Sequence, residues 1–130
     1  MSPVETVLDF ISRINQRDTS KLAELMTEDH VFIDSSGRSV CGRQTMLAAW
    51  QGYFAFCPDY WISAVETLAS GNRVAVFGSA GGTIARNGQL PPDNAWRAPA
   101  AWFAVVENEL VKEWRVYADL KPVYDIIAKP

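Results

Sequence analysis

One carboxylate follows an apolar segment directly. In the stretch DHVFIDSSG, Asp34 comes after Val31, Phe32 and Ile33 and before a Ser-Ser-Gly turn. Side chains two residues apart on a strand share a face, so a buried Phe32 would carry Asp34 inward. A carboxylate among apolar groups has a raised pKa and could accept a proton near neutral pH. The alternative is that Asp34 accepts backbone hydrogen bonds from the turn, as aspartates at strand ends often do.

Asp119, which ends the segment EWRVYAD, is a second candidate catalytic carboxylate. Trp114 and the alternate residues after it form an apolar set that should face the core. Asp119 then points outward unless a β-bulge shifts the alternation, and an outward position suits a solvated face or a dimer contact. His30 lies about 13 Å from Asp34 along a strand, too far for a direct pair, and is expected at the surface or at a helix end.

Aromatic residues are numerous for a chain of this length. The chain has five Trp, six Phe and four Tyr, which could fill a core, line a pocket or form an interface. Trp50, Tyr53 and Phe54 lie on the same predicted helix, and the Trp50 indole N–H and the Tyr53 hydroxyl are hydrogen-bond donors. Packing in the core or at the helix end is the alternative for these side chains.

The elements that would position these residues change character along the chain. Ser2, Pro3 and Glu5 form a helix start, and apolar residues then recur at helical spacing. A short helix near residues 20–26, a strand at 31–34 and a helix over RQTMLAAWQGYFAF follow. The second half is rich in β-branched and aromatic segments separated by turns. The order predicts one α+β domain over 1–130, with N-terminal helices on the concave face of a curved, mostly antiparallel sheet.

Composition and charge exclude several classes of function. The net charge is −3 with scattered basic residues, which argues against a nucleic-acid partner. No apolar run is long enough for a membrane span, and the N-terminus lacks the features of a secretory signal, so a cytoplasmic location is expected. One His and two Cys make a zinc site hard to assemble, and no cofactor is predicted.

Four segments resemble the nuclear transport factor 2-like superfamily, in particular its SnoaL-like and ketosteroid isomerase-like domains: LAELMTEDHVFIDSSG, CGRQTMLAAW, FCPDY and VKEWRVYADL. The resemblance implies a cone-shaped α+β fold, an apolar cavity and a homodimer. It places Asp34 at the position of the isomerases' general base and Trp50 at the position of a pocket tyrosine, where the indole N–H could donate a hydrogen bond to a ligand. It also turns Arg97, Ala101 and Phe103 toward the cavity, and leaves Trp96 and Trp102 for a second subunit.

The resemblance is incomplete for two activities of this superfamily. The places of the isomerases' two oxyanion donors hold Phe10 and Ala101, which cannot donate a hydrogen bond. Asp119 matches the final aspartate of the limonene epoxide hydrolases, but Gly78 and Ala80 replace the Arg and Asp that their mechanism also needs. SnoaL-like cyclases, which depend on one aspartate and a shaped apolar cavity, fit this sequence best.

The sequence therefore predicts a protein that binds a small hydrophobic molecule, with isomerase or cyclase chemistry on a carbonyl substrate through Asp34. The alternative is a non-catalytic ligand-binding or protein-interaction domain of the same fold. The catalytic candidates are Asp34 and Asp119. The candidate substrate-binding residues are Phe10, Phe32, Trp50, Tyr53, Phe54, Arg97, Ala101, Phe103 and Trp114.

Overall fold

The computed structural model describes residues 1–130 as four α-helices and six β-strands. The helices are α1 (Pro3–Gln16), α2 (Thr19–Glu24), α3 (Arg43–Phe56) and α4 (Lys121–Ile127). The strands are β1 (Met26–Ile33), β2 (Ser39–Cys41), β3 (Trp61–Ser70), β4 (Arg73–Thr83), β5 (Ala95–Glu107) and β6 (Leu110–Ala118). None of the helices is long and apolar enough to cross a membrane.

The start of α1 forms as the sequence predicted. The Ser2 hydroxyl accepts a hydrogen bond from the Glu5 backbone N–H at 3.1 Å, and the Glu5 carboxylate accepts one from the Ser2 N–H at 3.1 Å. This reciprocal pair satisfies donors that the helix end would otherwise leave free. Val7, Phe10 and Ile14 recur at helical spacing and are fully buried.

The six strands form one mixed sheet in the order β2-β1-β6-β5-β4-β3. Only β1 and β6 pair in parallel, and the other neighbouring strands are antiparallel. We call the inner face the side that carries the buried Val76, Trp102 and Trp114, and the outer face the opposite side. The arrangement confirms the predicted α+β class with helices packed on a curved sheet.

Two elements differ from the sequence prediction. Strand β1 begins at Met26, five residues before the predicted start, because Met26 pairs with Val111 of β6. This long-range pairing overrides the polar character of Thr27, Glu28 and Asp29. Helix α4 was not predicted, because it is short and only two of its residues are buried.

Candidate functional site

A cavity of about 330 Å³ lies between α3 and the inner face of the sheet. At about 30 Å³ per water molecule it has room for roughly eleven waters, and pockets for small molecules begin near this size. Sixteen of its eighteen lining residues are hydrophobic. The lining is formed by Phe32, Asp34, Ser35, Val40, Met46, Ala49, Trp50, Tyr53, Tyr60, Ala80, Trp96, Ala98, Ala100, Trp102, Trp114, Val116, Ala118 and Leu120.

Strand β5 explains why space remains inside a core this rich in aromatic residues. Its alternate residues Trp96, Ala98, Ala100 and Trp102 all face the cavity. Each tryptophan buries a large area, whereas the two alanines between them leave room above the sheet. The pattern of small and large residues therefore creates the cavity.

Asp34 is the only charged residue of the cavity wall, and it lies at the solvent-exposed edge. Its Oδ1 accepts hydrogen bonds from the Ser36 N–H at 2.9 Å, the Ser36 hydroxyl at 2.6 Å and the Arg38 N–H at 3.0 Å. Its Oδ2 has no partner in the chain. The turn interaction considered as the alternative is therefore present, and it leaves one carboxylate oxygen free to meet a ligand.

The predicted increase in the pKa of Asp34 is wrong. Partial burial is the largest single influence and acts to raise the pKa, but the hydrogen bonds from Ser36 and Arg38, together with the Arg38 charge, outweigh it. The net result is a pKa below the ordinary value for aspartate, because these donors favour the charged form. Asp34 is therefore ionised at neutral pH and is a weaker base than the sequence suggested.

Two tyrosine hydroxyls supply polarity deeper in the wall. Tyr53 and Tyr60 line the cavity with ring centroids 5.0 Å apart and planes nearly perpendicular. Burial raises the pKa of both hydroxyls well above the ordinary value, so both stay protonated and can donate a hydrogen bond. Tyr53 is a predicted ligand contact, and Tyr60 is an additional one that the structure places in the wall.

The chain offers little nucleophilic or metal-binding chemistry around the cavity. Burial raises the pKa of the Cys57 thiol to about 11, so it is protonated and unreactive at neutral pH. No group of three or more His, Cys, Asp or Glu side chains is arranged to hold a metal ion.

The structure places some predicted contact residues in the wall and others behind it. Phe32, Trp50, Tyr53 and Trp114 line the cavity. Phe10 and Phe54 do not. Phe10 is fully buried with its ring centroid 4.9 Å from that of Trp114, and Phe54 packs 5.3 Å from Trp50. These two rings support the wall from outside the cavity.

The predicted orientation of β5 is wrong. Arg97, Ala101 and Phe103 lie on the outer face, and the Arg97 guanidinium sits 5.7 Å from the Trp61 ring. The physical reason is burial: the inner set includes Trp96 and Trp102, whereas the outer set begins with a charged residue that is costly to bury. Trp96 and Trp102, which were expected to contact a second subunit, therefore face the cavity instead. The homodimer remains a prediction, but these two residues cannot form its interface.

Two further placements correct the sequence analysis. Asp119 is exposed, lies outside the cavity wall and accepts a hydrogen bond from the Lys121 N–H at 3.0 Å, because no bulge reverses the alternation near the end of β6. His30 was expected at the surface but is fully buried, with Nδ1 2.7 Å from the Val111 carbonyl oxygen. Neither residue reaches the cavity.

Sequence reasoning also missed several wall residues. The inward face of β5, from Trp96 to Trp102, could have been found from the alternation of apolar residues alone. Tyr60 carries no comparable local signal, because it lies between α3 and β3 in the segment CPDY.

Comparisons with known proteins agree on the fold. Residues 7–114 match the SnoaL-like domain family. A hypothetical protein from Catenulispora acidiphila with a ketosteroid isomerase-like fold, solved in complex with trimethylamine, superposes with a TM-score of 0.82 at 18% identity, covering 100% of this chain and 96% of the other. IdmH from Streptomyces antibioticus, described as a candidate polyketide cyclase, gives a TM-score of 0.80 at 21% identity, covering 99% and 100%. A search of curated proteins found no match.

Proposed function

Because the chain belongs to the SnoaL-like domain family, we propose that it binds one small, mostly apolar molecule in the cavity beneath α3. The observation that carries this proposal is the cavity itself, about 330 Å³ in volume and walled by hydrophobic side chains. Burial of the ligand's apolar surface would drive binding, and the few polar groups of the wall would orient it.

A pair of bicyclic probes tests the binding proposal. The ketone 1-tetralone and the hydrocarbon tetralin share one carbon skeleton and differ in a single oxygen. Trp50, Trp96 and Trp102 line the cavity, so a bound probe should change tryptophan fluorescence. For ligands of this size we expect dissociation constants of about 10 μM to 1 mM. Failure of both probes, and of larger apolar molecules, to bind would contradict the proposal.

Acid–base catalysis by Asp34 is the second candidate function. The observation that favours it is that the two oxygens of the Asp34 carboxylate differ: Oδ1 accepts three hydrogen bonds from the turn, whereas Oδ2 has no partner. A bound ligand would displace water from this edge of the cavity and increase the desolvation of Asp34. That change would raise its pKa toward the range in which a carboxylate removes a proton beside a carbonyl group.

Exchange of hydrogen for deuterium beside the ketone of 1-tetralone tests this chemistry in heavy water. If Asp34 is the base, Asp34→Asn should slow the catalysed exchange by roughly 100-fold or more. The asparagine oxygen can still accept the three turn hydrogen bonds, so the fold and ligand binding should persist. Asp119→Asn removes an exposed carboxylate outside the cavity and should change nothing.

Two results would contradict the catalytic candidate. One is exchange by Asp34→Asn at the wild-type rate. The other is a wild-type protein that binds the ketone without accelerating exchange, which would favour the alternative of a non-catalytic ligand-binding domain.

A further inference from the structure

Tyr60 is a buried residue whose hydroxyl makes no hydrogen bond within the chain. The residue is 7% exposed and lines the cavity. Buried tyrosine hydroxyls usually find a partner, since an unpaired polar group is costly in an apolar environment. Other polar atoms, such as the Trp50 and Trp102 indole nitrogens, are sealed from solvent without a partner, but the Tyr60 hydroxyl is not among them. The hydroxyl therefore keeps some access to solvent, and the residue that carries it lines the cavity.

Backbone contacts hold Tyr60 firmly in place. Its N–H donates to the Cys57 carbonyl at 3.2 Å, and its own carbonyl accepts from the Arg17 guanidinium at 2.9 Å. Two residues later, the Asn15 side chain accepts from the Ile62 N–H at 2.8 Å and donates to the Ile62 carbonyl at 2.9 Å. Groups fixed in this way bind a ligand without losing further conformational entropy.

The ring of Tyr60 is fixed by its aromatic neighbours. Its centroid lies 5.0 Å from that of Tyr53, 6.2 Å from Trp96 and 6.4 Å from Trp50. Indoles donate hydrogen bonds but do not accept them, and no carboxylate or carbonyl of the chain pairs with the Tyr60 hydroxyl. An acceptor for this hydroxyl therefore has to be supplied from outside the chain, by water in the cavity or by a bound molecule that displaces that water.

We infer that the Tyr60 hydroxyl donates a hydrogen bond to an oxygen of the bound molecule, so that the cavity selects apolar ligands carrying a carbonyl or another oxygen acceptor. The inference rests on the proposed binding function and adds the class of ligand. It also replaces the donors that the sequence analysis found missing at Phe10 and Ala101 with one from a different part of the fold.

Substitution Tyr60→Phe tests the inference, because it removes one oxygen and keeps the ring contacts. Wild-type protein should bind 1-tetralone, and the variant should bind it about three- to tenfold more weakly, the usual effect of losing one neutral hydrogen bond. Affinity for tetralin should not fall, since tetralin offers no acceptor. Tyr124→Phe removes a hydroxyl from a residue 58% exposed on α4 and serves as the matched control.

The outcomes separate this inference from the proposed function. Unchanged ketone binding by Tyr60→Phe, or equal losses for ketone and hydrocarbon, would overturn the hydrogen bond while leaving binding intact. If the wild type bound neither probe and no larger apolar molecule, that result would count against the proposed function itself.

A second measurement needs no variant: in the wild-type complex, the Tyr60 ring hydrogens should show nuclear Overhauser contacts to the aromatic hydrogen beside the ketone. Contacts only to hydrogens far from the ketone would contradict the inference.

Discussion

The two polar parts of the cavity wall, the Asp34 turn at the exposed edge and the Tyr60 segment inside, differ in how they are held. Asp34 receives three hydrogen bonds from Ser36 and Arg38, close in sequence, and remains partly solvated. Tyr60 is buried, its backbone carbonyl accepts a hydrogen bond from Arg17 just after α1, and its hydroxyl is left without a partner in the chain. At the edge the turn therefore binds one of the two Asp34 carboxylate oxygens, whereas the interior has a firmly held donor, the Tyr60 hydroxyl, with no partner. From this difference we expect the interior, rather than the edge, to select the ligand.

Blocking the interior should have the largest effect. In Ala100→Phe a phenyl ring would occupy the cavity, and we expect affinity for both bicyclic probes to fall by at least ~100-fold because close-packed walls leave no room for both groups. Ala101→Phe adds the same ring to the outer face, one residue further on, and should bind normally. Fluorescence titration of the two variants measures the difference, and similar losses in both would contradict the assigned faces of β5.

A substitution at Gly82 should displace the segment that carries Tyr60 and leave the Asp34 turn unchanged. An added Cβ would collide with the Cys57 sulfur and lie 3.2 Å from both Asp59 Oδ1 and the Tyr60 Cα, so the segment carrying Tyr60 must shift. We expect Gly82→Ala to reduce the free energy of unfolding by about 1–3 kcal/mol and to weaken ketone binding. Urea denaturation and probe titration measure these effects.

Gly52 on α3 provides the control, because a Cβ there would meet no atom within 4 Å. Gly52→Ala should stabilise the protein by about 0.5–1 kcal/mol through helix propensity. Equal stability of the two alanine variants would show that the packing around Gly82 does not constrain the Tyr60 segment.

The smallest expected effect is on the pH dependence of the free energy of unfolding, to which His30 should contribute near neutral pH and Asp34 should not. Burial lowers the pKa of His30, although the Val111 carbonyl and Asp29 oppose this. The unfolded chain then binds a proton near pH 6.5 before the folded protein does, so stability is complete above that pH and falls as the pH decreases below it. We expect a loss of about 1 kcal/mol between roughly pH 7.5 and 5.5 in urea denaturation.

His30→Gln, which keeps a donor for the Val111 carbonyl, should flatten this dependence. Asp34 stays ionised over the same range because its pKa is lowered. An unchanged slope in His30→Gln would assign the acid sensitivity to another group.

The parts of the fold that were predictable from sequence depend on local patterns. The capping box of α1, the bounds of α3 and the turn-bound form of Asp34 all involve residues a few positions apart. The inner face of β5 is also predictable locally, from the alternation of Trp96, Ala98 and Trp102, whereas the resemblance to other proteins implies the opposite face. Tyr60 could not be found in this way, because its burial and position depend on contacts such as Asn15 to Ile62, 47 residues apart.

A crystal structure of the wild-type protein with 1-tetralone tests the central claim most directly. The account predicts the two fused rings between Ala98, Trp50 and Trp102, with the ketone oxygen about 2.6–3.0 Å from the Tyr60 hydroxyl. A ketone oxygen directed away from Tyr60, or a ligand found only on the outer face with the cavity filled by water, would contradict it.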